Sequence, residues 1–143
     1  MENISNSRNR QQEVAMEIMY SFLMKEDAGT TIDVENSISD ICEKPYSECD
    51  LFLKEVLIKS LKNEKEIIDY ISLYLKKWKF ERLNACVQSI LIISVCNYKY
   101  VKETDKAVII DVAVKLAKKY GSKDDYKFVN AVLDNCLNDK LFK

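Results

Sequence analysis

Apolar residues recur at helical spacing along nearly the whole chain, and no stretch alternates in the period-two manner of a half-buried strand. Val14, Ala15, Ile18, Met19, Phe22 and Leu23 define one face of a helix from about Arg8 to Met24. The stretch Asp27-Ala28-Gly29-Thr30-Thr31 breaks it, and a short acidic helix from about Asp33 to Cys42 ends before Pro45. A third helix is expected from Ser47 to about Leu61, because Ser47-Glu48-Cys49-Asp50 resembles a capping box. Asn63-Glu64-Lys65-Glu66 gives a similar start to a fourth, carrying Ile67, Ile68, Ile71 and Leu75.

The fifth helix begins near Asn84 and contains Ile90 to Cys96, apolar on all sides, which predicts a central helix wrapped by the others. The β-branched residues of that run would also suit a strand, but the flanking caps and the lack of a plausible strand partner decide against it. A sixth helix follows Thr104 or Asp105. It buries Val108, Ile109, Val112, Ala113, Leu116 and Ala117, turns Asp111, Lys115 and Lys118 outward, and stops at Tyr120-Gly121, where the glycine suggests a left-handed cap. Ser122-Lys123-Asp124-Asp125 then opens a seventh, with Phe128, Val129, Val132, Leu133, Cys136 and Leu137 on its core stripe. The expectation is an all-α fold of about seven helices, forming one domain over residues 1–143 without linker or repeat.

Composition sharpens this reading. Two glycines and one proline are too few for an all-β chain. The absence of histidine removes the commonest general base, the imidazole-dependent triads and most catalytic zinc sites, so the chain does not read as an enzyme. Two isolated glycines cannot build a phosphate loop, and no cofactor site is visible. Five cysteines without C-x-x-C spacing read as reduced, mostly buried thiols of a cytoplasmic protein. No targeting peptide is visible, and the apolar run at 90–96 is too short to cross a membrane.

The net charge of −1 conceals an asymmetry. Residues 26–50 hold eight acidic groups and one lysine, whereas residues 76–127 hold twelve Lys/Arg against six Asp/Glu. Such a distribution suits a basic surface that faces nucleic acid. Arg8 and Arg10, placed where an extended tail would enter the first helix, could reach phosphates. Tyr20 sits on the flank of that helix with Met16 and Met24, where it could stack an unpaired base. Lys115, Lys118, Lys119, Lys123 and Lys127 gather at the corner between the last two helices, and Phe128 stands at the mouth of the seventh.

Several segments resemble one family. Glu13-Val14-Ala15-Met16-Glu17-Ile18-Met19-Tyr20 is similar to R-E-x-A-x-Q-x-L-Y in the NusB transcription antitermination factors. Ile68, Asp69 and Ile71, with Trp78-Lys79-Phe80-Glu81-Arg82-Leu83, resemble that family's I-D-x-x-I and W-x-L-x-R-L. Ala113 to Tyr120 resembles E-A-V-E-L-A-K-x-F/Y, and Lys127 to Asp134 resembles K-F-V-N-G-V-L-D; these two, close together and in order, are the specific signal. The chain departs from the pattern at Gln12 and Ile92, where the family carries arginine, at Asn97, where it carries glutamate, and at Ala131, where it carries glycine.

The resemblance implies two packed helical bundles and a non-enzymatic role in transcription. It implies binding of boxA-type single-stranded RNA jointly with a small ribosomal protein acting as NusE, and through that complex an indirect effect on the RNA polymerase elongation complex. The positions matching the family's RNA-contacting regions are Arg8, Arg10, Tyr20, Asp124, Lys127 and Phe128; Lys118 and Lys123 are added on electrostatic grounds. The resemblance leaves a homodimer open, since some relatives pair through the surface that would otherwise meet RNA. Two other readings compete. One is a helical protein–protein adaptor with RNA binding weakened or lost. The other is an accessory helical domain related to that of RNA cytosine methyltransferases.

Overall fold

The computed structural model describes residues 2–138, with side chains from residue 8 onward. Seven α-helices are present and no strand occurs among the described residues: α1 (Glu2–Asp27), α2 (Val34–Cys42), α3 (Leu51–Lys62), α4 (Glu64–Ser72), α5 (Ala85–Cys96), α6 (Lys106–Tyr120) and α7 (Asp125–Leu137). The caps explain most of the boundaries. Asp33 accepts from the Asn36 N–H at 3.1 Å to start α2, and Asn84 accepts from the Val87 N–H at 2.9 Å to start α5.

Three boundaries differ from the sequence reading. α1 begins at Glu2, so Arg8 and Arg10 lie within the helix and not at the end of an extended tail. α3 begins after Asp50, whose carboxylate accepts from the Leu53 N–H at 3.0 Å, while Tyr46–Glu48 forms a separate 3-10 turn. Ser47 therefore caps nothing; the aspartate three residues on is the better-placed acceptor. Gly121 is extended (φ −92°, ψ −176°), not left-handed. Its lack of a side chain matters for another reason: a Cβ there would stand 2.7 Å from the Ala117 carbonyl oxygen and 2.8 Å from Asp125 Oδ2.

α5 is the axis of the molecule. Ile90 to Cys96 are all buried, as an all-round apolar helix requires. α1 and α3, with α2 beyond them, pack on one side of it, and α4, α6 and α7 on the other, so that two helical bundles share α5. Phe22, Ile18 and Met19 of α1 are among the largest fully buried side chains. Beyond α5 the chain makes a π-turn, Asn97–Val101, held to α3 where Lys59 donates to the Tyr100 carbonyl at 3.0 Å.

Where α1 ends against the start of α4, Glu64 meets Glu26. Partial burial, then the hydrogen bond to Glu26, raise the Glu64 carboxyl to about 7. A carboxyl raised in the folded state holds its proton longer than in the unfolded chain, so its stabilising effect is complete at low pH and is lost as pH rises through about 7. Glu64→Gln is therefore expected to raise stability by about 1 kcal/mol at pH 8, a figure reduced for solvent screening, and to add little at pH 4. Urea unfolding at the two pH values checks this; an equal change at both would contradict it.

Candidate nucleic-acid interface

The C-terminal end of α6 and the start of α7 are fixed to the rest of the molecule by acids that the sequence does not single out. Glu13 of α1 takes Lys119 at 2.7 Å and Arg10 at 3.0 Å, and also accepts from the Tyr120 hydroxyl. Tyr120 donates to Glu17 as well, at 2.9 Å. Burial pushes the Glu13 carboxyl up, but the hydrogen bonds from Lys119, Tyr120 and Arg10 outweigh it and hold the group below its usual range. Across the next turn, Asp125 Oδ2 accepts from the Ser122 N–H at 2.7 Å and from the Asn84 side chain at 3.2 Å, joining α7 to α5. Gly121 sits between these ties, which is why it tolerates no Cβ.

This arrangement divides the five lysines of the corner. Lys119 is engaged by Glu13, and Lys115 by Asp111 at 3.0 Å along α6. Lys118 lies over the Tyr126 ring, 4.7 Å from its centre, a contact that leaves much of its charge unneutralised. Lys127 and Asp124 approach only to 3.8 Å, both highly exposed. Lys123 is exposed and has no ion pair among the described residues. Lys118, Lys123 and Lys127 are thus the cations with charge to offer an outside anion.

The aromatic residues lie beside them in connected hollows. Tyr20, 42% exposed, lines a hollow of about 310 Å³ with Met16, Glu17, Cys86 and Tyr120. Phe128 is half-buried and lines a second, of about 300 Å³, with Asn84, Val87, Asp124, Arg82 and Trp78. Cys86 and Asn84 flank one turn of the α5 start, so the two hollows adjoin. Phe128 therefore packs on the core by one edge and leaves ring surface facing out, while Tyr20 is more open. Of the thiols, Cys49, Cys96 and Cys136 are buried, and Cys42 and Cys86 are half-buried.

The structure does not gather every expected residue. Arg8 is directed at α3: its guanidinium lies 4.2 Å from the centre of the Phe52 ring, bonds Thr104 at 3.4 Å and approaches Glu103 at 3.7 Å. Arg10, two residues on, faces α6 through Glu13. The helical step of about 100° per residue separates the two arginines by about 160°. Tyr20, Asp124, Lys127 and Phe128 share the connected hollows and their rim, with Lys118 and Lys123 at the same corner. Trp78 and Arg82, seen in the sequence only as family-pattern residues, also line this face. Their signal was available: a tryptophan set among Lys76, Lys77 and Lys79 in a short turn is an unusual place to bury an indole.

Gln12 (3% exposed), Ile92 (0%) and Asn97 (0%), where the chain departs from the family's charged pattern, are all buried. The lost charges belong to the interior, not to the basic corner. Among the described residues no cluster of side chains suited to a metal ion occurs, and no helix is long and apolar enough to cross a membrane.

Residues 9–138 match the NusB family. The chain is 32% identical over 128 residues to the transcription antitermination protein NusB of Bacillus mycoides, covering 90% of this chain and 95% of that protein. It is 30% identical over 136 residues to the NusB of Finegoldia magna, covering 94% and 96%. Among solved structures, T. maritima NusB superposes with a TM-score of 0.78 at 26% identity, covering 92% of this chain and 91% of that one. A chain in the crystal structure of a plectonemic RNA supercoil has the same fold, with a TM-score of 0.77 at 21% identity, covering 91% and 93%.

Proposed function

The chain belongs to the NusB family, and from that premise we propose that it is a non-enzymatic transcription antitermination factor. It acts as one RNA-binding domain in the cytoplasm, where it holds boxA-type single-stranded RNA together with a small ribosomal protein acting as NusE. That complex would then engage the RNA polymerase elongation complex. The observation that carries the reading is the division of the basic corner. Lys115 and Lys119 serve the fold, whereas Lys118, Lys123 and Lys127 keep their charge beside the open rings of Tyr20 and Phe128. Cations that hold phosphates and rings that accept unstacked bases are what single-stranded RNA requires.

Each ring has a distinct surrounding. Tyr20 stands between Glu17 and Tyr120 at the junction of α1 and α6, and offers a face for stacking. Phe128 stands at the α7 start beside Asp124, whose carboxylate caps no N–H and so can accept from a base amino group. Lys127 adjoins both and supplies the positive charge that offsets Asp124. Arg10 has a tie to Glu13 that would hold its guanidinium in register at the margin of the site, while Arg8 reaches RNA only by leaving Phe52.

Burial of Gln12, Ile92 and Asn97 supports RNA binding over the adaptor reading, because the charges absent there are not surface charges. The accessory-domain reading has less support: antitermination proteins match this chain over 95% or more of their own length.

The test is a titration of labelled boxA-type RNA, with and without the ribosomal protein, at about 50 and about 200 mM salt. Weak binding alone, tightening on addition of the protein and weakening by at least about tenfold at the higher salt, is expected for contacts with several phosphates. No binding under either condition, or affinity indifferent to salt, would remove the reading.

A further inference from the structure

We propose that the RNA path continues past Phe128 into a third hollow, where the indole of Trp78 stacks a base and Lys76 and Lys77 hold the adjoining phosphates. This rests on the RNA-binding reading above and adds a subsite to it, outside the corner formed by α6 and α7.

The hollow measures about 270 Å³ and has Trp78 and Phe128 in common with the one before it. Its floor is Leu75 and Val132, both buried, and Tyr74 adds a further ring. Lys76 and Lys77 stand exposed at its edge; no carboxylate lines it, and neither lysine has an ion pair among the described residues. Trp78 is 58% exposed, an unusual state for so large an apolar ring in a chain otherwise able to bury its aromatics. The turn is held in shape, since the Trp78 N–H donates to the Leu75 carbonyl at 2.8 Å and Lys76 takes a left-handed conformation with φ 37°. The indole is therefore presented, not left loose.

Charge and chemistry select the occupant. A ring face flanked by lysines and free of carboxylates suits single-stranded nucleic acid, in which every base has a π-face and every linkage a charge. A protein partner is the weaker fit, because lysine is depleted in the centres of protein interfaces. Continuity gives the third reason: a strand that crosses Tyr20 and then Phe128 meets Trp78 next, since one ring borders both hollows.

Trp78 is the only tryptophan in the chain, so its emission reports this subsite alone. A labelled boxA-type RNA of about 12 nucleotides, within the usual range for such sites, would be followed by anisotropy and by tryptophan emission in the same titration. Expected are quenching with the same midpoint as the anisotropy and about tenfold weaker binding by Trp78→Ala, the scale of one lost base stack. Lys76→Glu with Lys77→Glu, at exposed positions that leave the core untouched, should weaken binding and lower the salt slope. Circular dichroism confirms that each variant retains its helices. An anisotropy change with unaltered emission and unaltered affinity of both variants would overturn the subsite while leaving the RNA reading intact. No anisotropy change would overturn both. Emission that answers to the ribosomal protein and not to RNA would assign the hollow to protein and overturn the proposal.

Discussion

A chain carrying Lys118→Glu, Lys123→Glu and Lys127→Glu together is expected to bind single-stranded RNA about 100-fold more weakly than the parent at about 0.1 M salt. Each phosphate contact on a single strand contributes a slope of about 0.7 in the logarithm of affinity against the logarithm of salt. Three lost contacts therefore account for about two decades at that concentration, and the slope itself should fall by about 2. Folding should be unaffected, since all three side chains are exposed and none holds α6 or α7 to its neighbours. The matching change at Lys119 would be a poor control, because that lysine anchors the corner through Glu13. Equal affinity of the triple variant and the parent in an anisotropy titration would mean that RNA binds elsewhere on the molecule.

The second large effect concerns the core. Phe22→Ala is expected to lower the unfolding free energy by about 3–5 kcal/mol, the range for removing a fully buried aromatic ring. Phe22 is fully buried on α1, the helix that packs most extensively on α5, and the cavity would open between the two. With a typical stability of about 5–15 kcal/mol, the variant would keep little margin. Urea unfolding checks this through a lowered midpoint at unchanged slope. Leu51→Ala serves as the comparison: Leu51 is 78% exposed, and its loss should change stability by no more than about 0.5 kcal/mol. Similar losses for both would show that α1 is not seated as described.

These two predictions rest on features of unequal visibility in the sequence. Phe22 was legible because helical periodicity and burial report the same physics: the stripe Ile18, Met19, Phe22 must find a partner, and the all-round apolar run at 90–96 is the obvious one. Most helices were legible for that reason. Their exact starts were less so, because Ser47 and Asp50 are both competent caps and only the path of the chain after Pro45 selects the second. Gly121 was visible as a stop but not for its cause, which is the crowding of Ala117 and Asp125 from two different helices.

The site was legible by residue type and illegible by pairing. Five lysines at one corner look equivalent in the sequence. Glu13, more than a hundred residues away, separates Lys119 from Lys118, and no local pattern encodes that. The same holds for Arg8 and Arg10, whose separation follows from the helix extending to Glu2. Trp78 shows the reverse case. Its exposure comes from a turn with a left-handed lysine, a conformation that composition does not announce.

The central position of α5 also sets the order in which the chain can be completed during its synthesis. α1 has finished at Asp27, yet roughly sixty residues follow before α5 begins at Ala85. At about 5–20 residues per second, the ribosome needs several seconds to supply that partner, and until then the stripe of α1 has no full seat. α6 and α7 come later still, and Phe128 reaches Trp78 and the neighbourhood of Tyr20 only when α7 docks. The nascent protein thus acquires its RNA-facing surface last, so chains interrupted before α7 would lack it.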